Sequence, residues 1–273
     1  MTTATLAPGR AALPGAGRAL SDGLVVTKRN LLVMPRIPEL LVFSTIQPIM
    51  FVLLFAYVFG SAIPLPDGGS YRAFLMAGIF TQTVAFSTGV TSIGLAEDLQ
   101  KGLIDRFRSL PMARSAVLVG RTNADLVRSA FIIVIMSLCG LLVGWRIENG
   151  WFPAMVAFAL LLAFGYAFSW IGAVIGLSVG NAETANTAGF VWLFPVTFLS
   201  NAFVPTAGLP SWMRWVADHN PVSYVSSACR ELFGNPNPYA IPGALWKSVV
   251  WIVAILVVCV PLAVRKYRAA TSR

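Results

Sequence analysis

EDLQKGLIDRFRSLPMAR, residues 97–114, is the densest run of charge in the chain. Three acids, Glu97, Asp98 and Asp105, and four bases, Lys101, Arg106, Arg108 and Arg114, fall within its 18 residues. An apolar run long enough to enter a bilayer lies on each side. A charged segment between two spans has to sit in water, and its bases place it on the cytoplasmic side. Two roles are open for it: a solvated loop that only fixes topology, or a docking surface for a soluble partner.

Outward from this segment the sequence turns apolar. Over 273 residues, 57% are hydrophobic and only 11% charged, far from the balance of a soluble domain. Asp, Glu, Lys and Arg are missing from 40–66, 73–96, 149–182 and 184–213, with shorter gaps at 129–145 and 248–264. Since about 20 residues span a bilayer, these gaps predict an all-α integral membrane protein with six transmembrane helices, forming one domain over 37–264. The first span is expected at 40–59, kinked at Pro48, and the second at 71–95. The third is the apolar part of a long helix over 115–143, followed by a fourth at 152–179, a fifth at 187–203 and a sixth at 246–264. Residues 1–20, rich in Ala, Gly and Pro, read as a disordered cytoplasmic tail without a signal peptide, and 265–273 as a second cytoplasmic tail. Between 21 and 36, Lys28 and Arg29 sit among paired apolar residues, which suits an interfacial helix in the headgroup layer or a plain linker.

Orientation follows from counting bases. Residues 1–36, the central segment through Arg128, and the C-terminal tail hold 15 of the 20 Lys and Arg residues, so both termini are expected inside. Arg121, Asp125 and Arg128 share a helical face and can pair; their charge places that face at or beyond the inner boundary. The second inner loop, 180–186, carries only Glu183. On the outer side, 206–245 is too polar for a span and is punctuated by proline. It predicts short, partly re-entrant helices at 210–216 and 221–233, the second capped by Asn220-Pro221 and stopped by Gly234. Trp212, Trp215, Tyr224 and Phe233 suit the interface, and His219 falls in the turn between the two helices.

The net charge of +9 points to anionic lipid or an acidic partner, not to nucleic acid, because aromatic and basic residues do not interleave. Cys139, Cys229 and Cys259 are too far apart for a metal pair or a disulfide framework. None of the four lysines follows a glycine, so no phosphate-cradling loop exists; nor is there a mid-membrane carboxylate pair or a metal cluster. Energy for uphill transport would come from another chain, which favours the docking role for 97–114. The polar residues of the second span serve helix–helix hydrogen bonding or contact a substrate. The candidates for a substrate path are Gln82, Thr83 and Phe86 there, and Phe194, Phe198 and Asn201 in the fifth span.

EDLQKGLIDRFRSLPMARSAVLVGR, the later GLSVGNAETAN, and FPVTFLSNAFVPTAGLPSWMRWVADHNPVSY with the basic tail resemble the permeases of type-2 ATP-binding-cassette exporters. The daunorubicin/doxorubicin-resistance branch is the nearest in look. The resemblance implies a six-span permease that dimerises with an identical or related chain and binds two cassette ATPase subunits. ATP and Mg would be held by those subunits, with no cofactor on this chain. It also implies a connecting helix over 21–34, a coupling helix over 99–108 and outer helices over 209–233. In the coupling segment Lys101, Arg106 and Arg108 would face acidic groups of the ATPase, and Leu103, Ile104 and Phe107 would anchor it. Gly102 and Pro111, next to Leu110, would bound the helix. The expected activity is export of a drug, lipid or glycolipid across a bacterial inner membrane. The rivals are an ATPase-independent channel or carrier and a non-transporting scaffold.

Overall fold

The computed structural model describes residues 27, 38–58, 65, 69–102, 114–203 and 206–270. All regular structure among them is helical: α1 (Pro38–Val58), α2 (Tyr71–Ala85), α3 (Ser87–Gln100), α4 (Arg114–Val143), α5 (Trp151–Gly176), α6 (Ala182–Val191), α7 (Leu193–Phe198), α8 (Ser211–Asp218), α9 (Pro221–Phe233) and α10 (Ala244–Ala270). Four helices among the described residues are long and apolar enough to cross a membrane: the 30-residue α2–α3 rod, α4 from residue 117, α5 and α10.

The rod is the centre of the bundle. Its apolar stretch is almost wholly enclosed by protein, whereas that of α10 lies mostly on the surface. Thr81, Ser87 and Thr91 turn their hydroxyls back onto carbonyls of their own helix. Such back-bonding bends helices, and here a turn at Phe86 separates α2 from α3. α5 runs parallel to the rod at backbone contact distance. A Cβ on Gly172 would stand 2.3 Å from the Thr88 carbonyl oxygen, and one on Gly176 would stand 2.4 Å from that of Ser92. Small residues permit such an approach, and hydroxyls exploit it: Thr88 donates to the Phe168 carbonyl at 3.0 Å. α4 runs antiparallel to the rod, with Arg72 near Val143 at one end and Asp98 near Arg121 at the other.

Several boundaries differ from the sequence expectation. The rod continues to Gln100, into the predicted charged loop, and α10 carries Arg265, Lys266 and Arg268 of the predicted tail. The second inner loop is short, because Asn181 caps α6 by accepting from the Thr184 amide at 2.6 Å. The predicted fifth span is not one helix. Pro195 has no N–H for the Val191 carbonyl, the helix breaks at Trp192, and α7 ends at Phe198. Pro210 stands before α8 as its N-cap residue and not inside it. The cap on α9 is as expected: Asn220 accepts from the Val222 amide, Pro221 occupies the first turn and Gly234 takes φ 75°. Trp212 and Trp215 are exposed and Tyr224 lines a polar surface pocket beside Lys247, but Phe233 points into the core instead of lying at a surface. Phe233 packs edge-on to Trp145. His219 follows α8 in a turn and stacks on Trp215.

Candidate functional site

Three places among the described residues bear on the candidate site. The first is the end where α3, α4 and α6 carry their charge. Glu97 and Lys101, one turn apart, pair at 2.9 Å on the surface, which raises the Lys101 pKa above its ordinary value. Asp98 pairs with Arg121 at 3.1 Å across to α4. Gly102 ends the rod with φ 62°, a conformation that suits glycine. Glu183 stands exposed in the first turn of α6, where the helix dipole favours a carboxylate. Arg114 opens α4. Leu103, Ile104, Asp105, Arg106, Phe107, Arg108, Leu110 and Pro111 lie outside the described residues, as do Lys28 and Arg29.

Further up α4 lies an ion pair inside the apolar body. Arg128 meets Asp125 at 3.3 Å, and Asp125 also accepts the Thr91 hydroxyl at 2.6 Å. The expectation that Arg121, Asp125 and Arg128 pair along one face holds for the last two only, since Arg121 reaches Asp98. Arg128 and Asp125 are both well shielded, and each compensates the other's charge.

The second place is a cavity of about 120 Å³ between α1, the rod, α4 and α6. Gln82, Thr83 and Phe86 line it together with Gln47, Phe51 and Arg128. From Phe86 a chain of ring contacts continues through Phe194 at 5.7 Å and Phe198 at a further 5.9 Å to Phe203 and Phe55. Phe194 and Phe198 are half exposed on this face. Five of the six residues proposed from sequence as a path thus share one surface. Asn201 does not: it is buried and accepts the Ser226 hydroxyl at 2.6 Å.

The third place was not legible in the sequence. Arg230 of α9 is 0% exposed, donates to the carbonyls of Phe74, Asn201 and Ala202, and lies 3.5 Å over the Phe74 ring. It fastens the broken end of α7 to α2 where Gly78 lets the Ala202 carbonyl approach. Its only signal was a lone base among small residues, SSACRELF.

The bundle joins a shielded ion pair, a largely apolar cavity edged by a few polar side chains, and a charged end. Residues 23–233 match the family model of the ABC-2 type transporter, and the chain belongs to that family. Among similar proteins, a daunorubicin resistance ABC transporter permease of Streptomyces coeruleorubidus is 31% identical over 93% of this chain and 89% of its own length. A "probable doxorubicin resistance ABC transporter permease protein" of Mycobacterium tuberculosis is 28% identical over 97% of this chain and 96% of its own.

Proposed function

We propose that this chain is the six-span permease of an ATP-driven exporter, moving a hydrophobic or amphipathic molecule out of the cytoplasm or inner leaflet of a bacterial inner membrane. A cassette ATPase docked on 97–114 and on the α6 end at Glu183 supplies the energy, holding ATP and Mg itself. Two ATPases serve two permeases, both termini are cytoplasmic, and the outer helices α8 and α9 dip into the membrane. The observation that carries this reading is that one helical rod bears both ends of the process. Glu97, Asp98 and Lys101 stand at its charged end, and Gln82 lines the cavity near its middle. Movement imposed on the charged end is passed along that rod to the cavity. The similarity to two drug-resistance permeases supports a drug-like substrate.

The test is transport in inverted vesicles. Daunorubicin uptake should require this chain, a co-expressed cassette ATPase and Mg-ATP together, and the purified chain alone should hydrolyse no ATP. Uptake that proceeds equally without the ATPase would establish a carrier or channel instead.

A further inference from the structure

The antiparallel helices α4 and α5 leave an open groove of about 560 Å³ between them, beside the turn that joins them. Its lining runs on α4 from Ala130 to Leu141 and on α5 from Trp151 to Leu162, and Arg146 stands at the turn. Each stretch covers a length of about 17 Å at a helical rise of 1.5 Å per residue. That is close to the depth of one leaflet, half of the roughly 30 Å hydrocarbon layer. Val134 and Leu138 on its α4 wall are exposed apolar side chains, as is Phe131 next to them. Trp151, beside the turn, is 81% exposed, which suits a ring at headgroup depth.

Among the lining residues only Arg146 is charged. Its guanidinium is fixed in place, because Nη1 donates to the Leu141 carbonyl at 2.6 Å and to that of Trp145 at 2.8 Å. Both acceptors are neutral. No ion pair among the described residues includes Arg146, although Glu148 lies two residues on. An exposed guanidinium held in one orientation presents a fork suited to phosphate. A helix of another protein would match the apolar walls but not a lone cation at their end. A free anion would match the cation and leave the groove without a role. A phospholipid matches both.

We propose that this groove holds one acyl chain of a phospholipid from the leaflet on the side of the α4–α5 turn, with Arg146 binding its phosphate. Anionic headgroups are favoured over zwitterionic ones, whose ammonium group cancels part of the attraction. The site needs only that the bundle lies in a bilayer, so it stands or falls separately from export.

Two photoreactive lipids test this, phosphatidylglycerol and phosphatidylcholine, each with a diazirine midway along one acyl chain. Each is added in trace amount to the full-length chain in phosphatidylcholine nanodiscs, and adducts are mapped by mass spectrometry. Residues 130–141 and 151–162 should be labelled about fivefold more by phosphatidylglycerol, as expected for one basic residue acting on an anionic lipid. The exposed face of α10 should be labelled equally by both and serves as the reference. Arg146→Gln should bring groove labelling by phosphatidylglycerol down to that by phosphatidylcholine. Ser137→Phe, which fills the groove midway, should remove groove labelling by both lipids while the α10 adducts persist. Equal labelling of the native groove by the two lipids overturns the proposal, as does a preference that survives Arg146→Gln. A native groove labelled by neither lipid, with α10 labelled normally, also overturns it and assigns the face to a protein contact.

Discussion

Arg121 crosses the rod over Gly94 to reach Asp98, and its guanidinium stands where a Cβ at residue 94 would lie. The absent side chain at 94 and the ion pair are one device, tying α3 to α4 at the charged end. Both partners are mostly shielded. A double-mutant cycle of Asp98→Asn and Arg121→Gln, read from thermal unfolding in nanodiscs, should give a coupling of about 1 kcal/mol. Gly94→Val should destabilise as much as Arg121→Gln, because it displaces the same guanidinium. A cycle that closes at zero would reduce this contact to a neighbourly accident.

Arg230 predicts a larger loss. Its guanidinium serves three backbone carbonyls that no other side chain among the described residues reaches. Arg230→Met should cost about 3 kcal/mol or more, the range for opening a buried charged network. Arg230→Lys should recover little, since an ammonium cannot spread over the same fork. Unfolding midpoints of the three proteins decide this, and a stable Lys variant would show that charge alone suffices.

Gly172→Ala should destabilise by about 1–3 kcal/mol through overpacking against the Thr88 backbone. Gly180→Ala is the control, because a Cβ there meets nothing within 4 Å. Equal unfolding midpoints for the two variants would mean that α5 can shift away from the rod at no cost.

The docking segment is tested by capture of the cassette ATPase on tagged permease. Phe107→Ala should loosen it by about 2 kcal/mol if this ring is an interface anchor. Lys101→Ala should have a smaller, salt-dependent effect. Lys101 is held above its ordinary pKa by Glu97. What this pairing contributes is fully present below the unfolded pKa and is lost only as pH rises through the folded value. Binding should therefore vary with ionic strength but not across pH 6 to 8. Undiminished capture by a Leu103→Ala, Phe107→Ala double variant would return the segment to a topological role.

How far the sequence carried depended on the kind of signal. Asn220-Pro221 and Gly234 foretold α9 because caps are local chemistry, complete within a few residues. Uncharged length located the rod, α4, α5 and α10 for a similar reason. In the fifth span, absence of charge does not register the turn at Trp192 before Pro195 or the one that the Asn201 and Ala202 carbonyls make toward Arg230. The path residues Gln82, Thr83 and Phe86 were found as polar or aromatic positions in apolar runs. Arg128 joined them only through the packing of α4 on the rod, which no spacing within one helix records. Asn201 resembled them in type and was claimed by a distant serine.

The glycine seam between α5 and the rod also decides where traffic cannot go. With backbone against side-chain-free backbone at Gly172 and Gly176, that flank is a sealed wall, too tight for an acyl tail or a ring to slip through. On the proposed export reading, cargo has to pass instead beside the cavity lined by α1, the rod, α4 and Phe190 of α6. Variants that widen or narrow the range of tolerated cargo should therefore collect on that one side, and the sealed flank should tolerate almost no change at all.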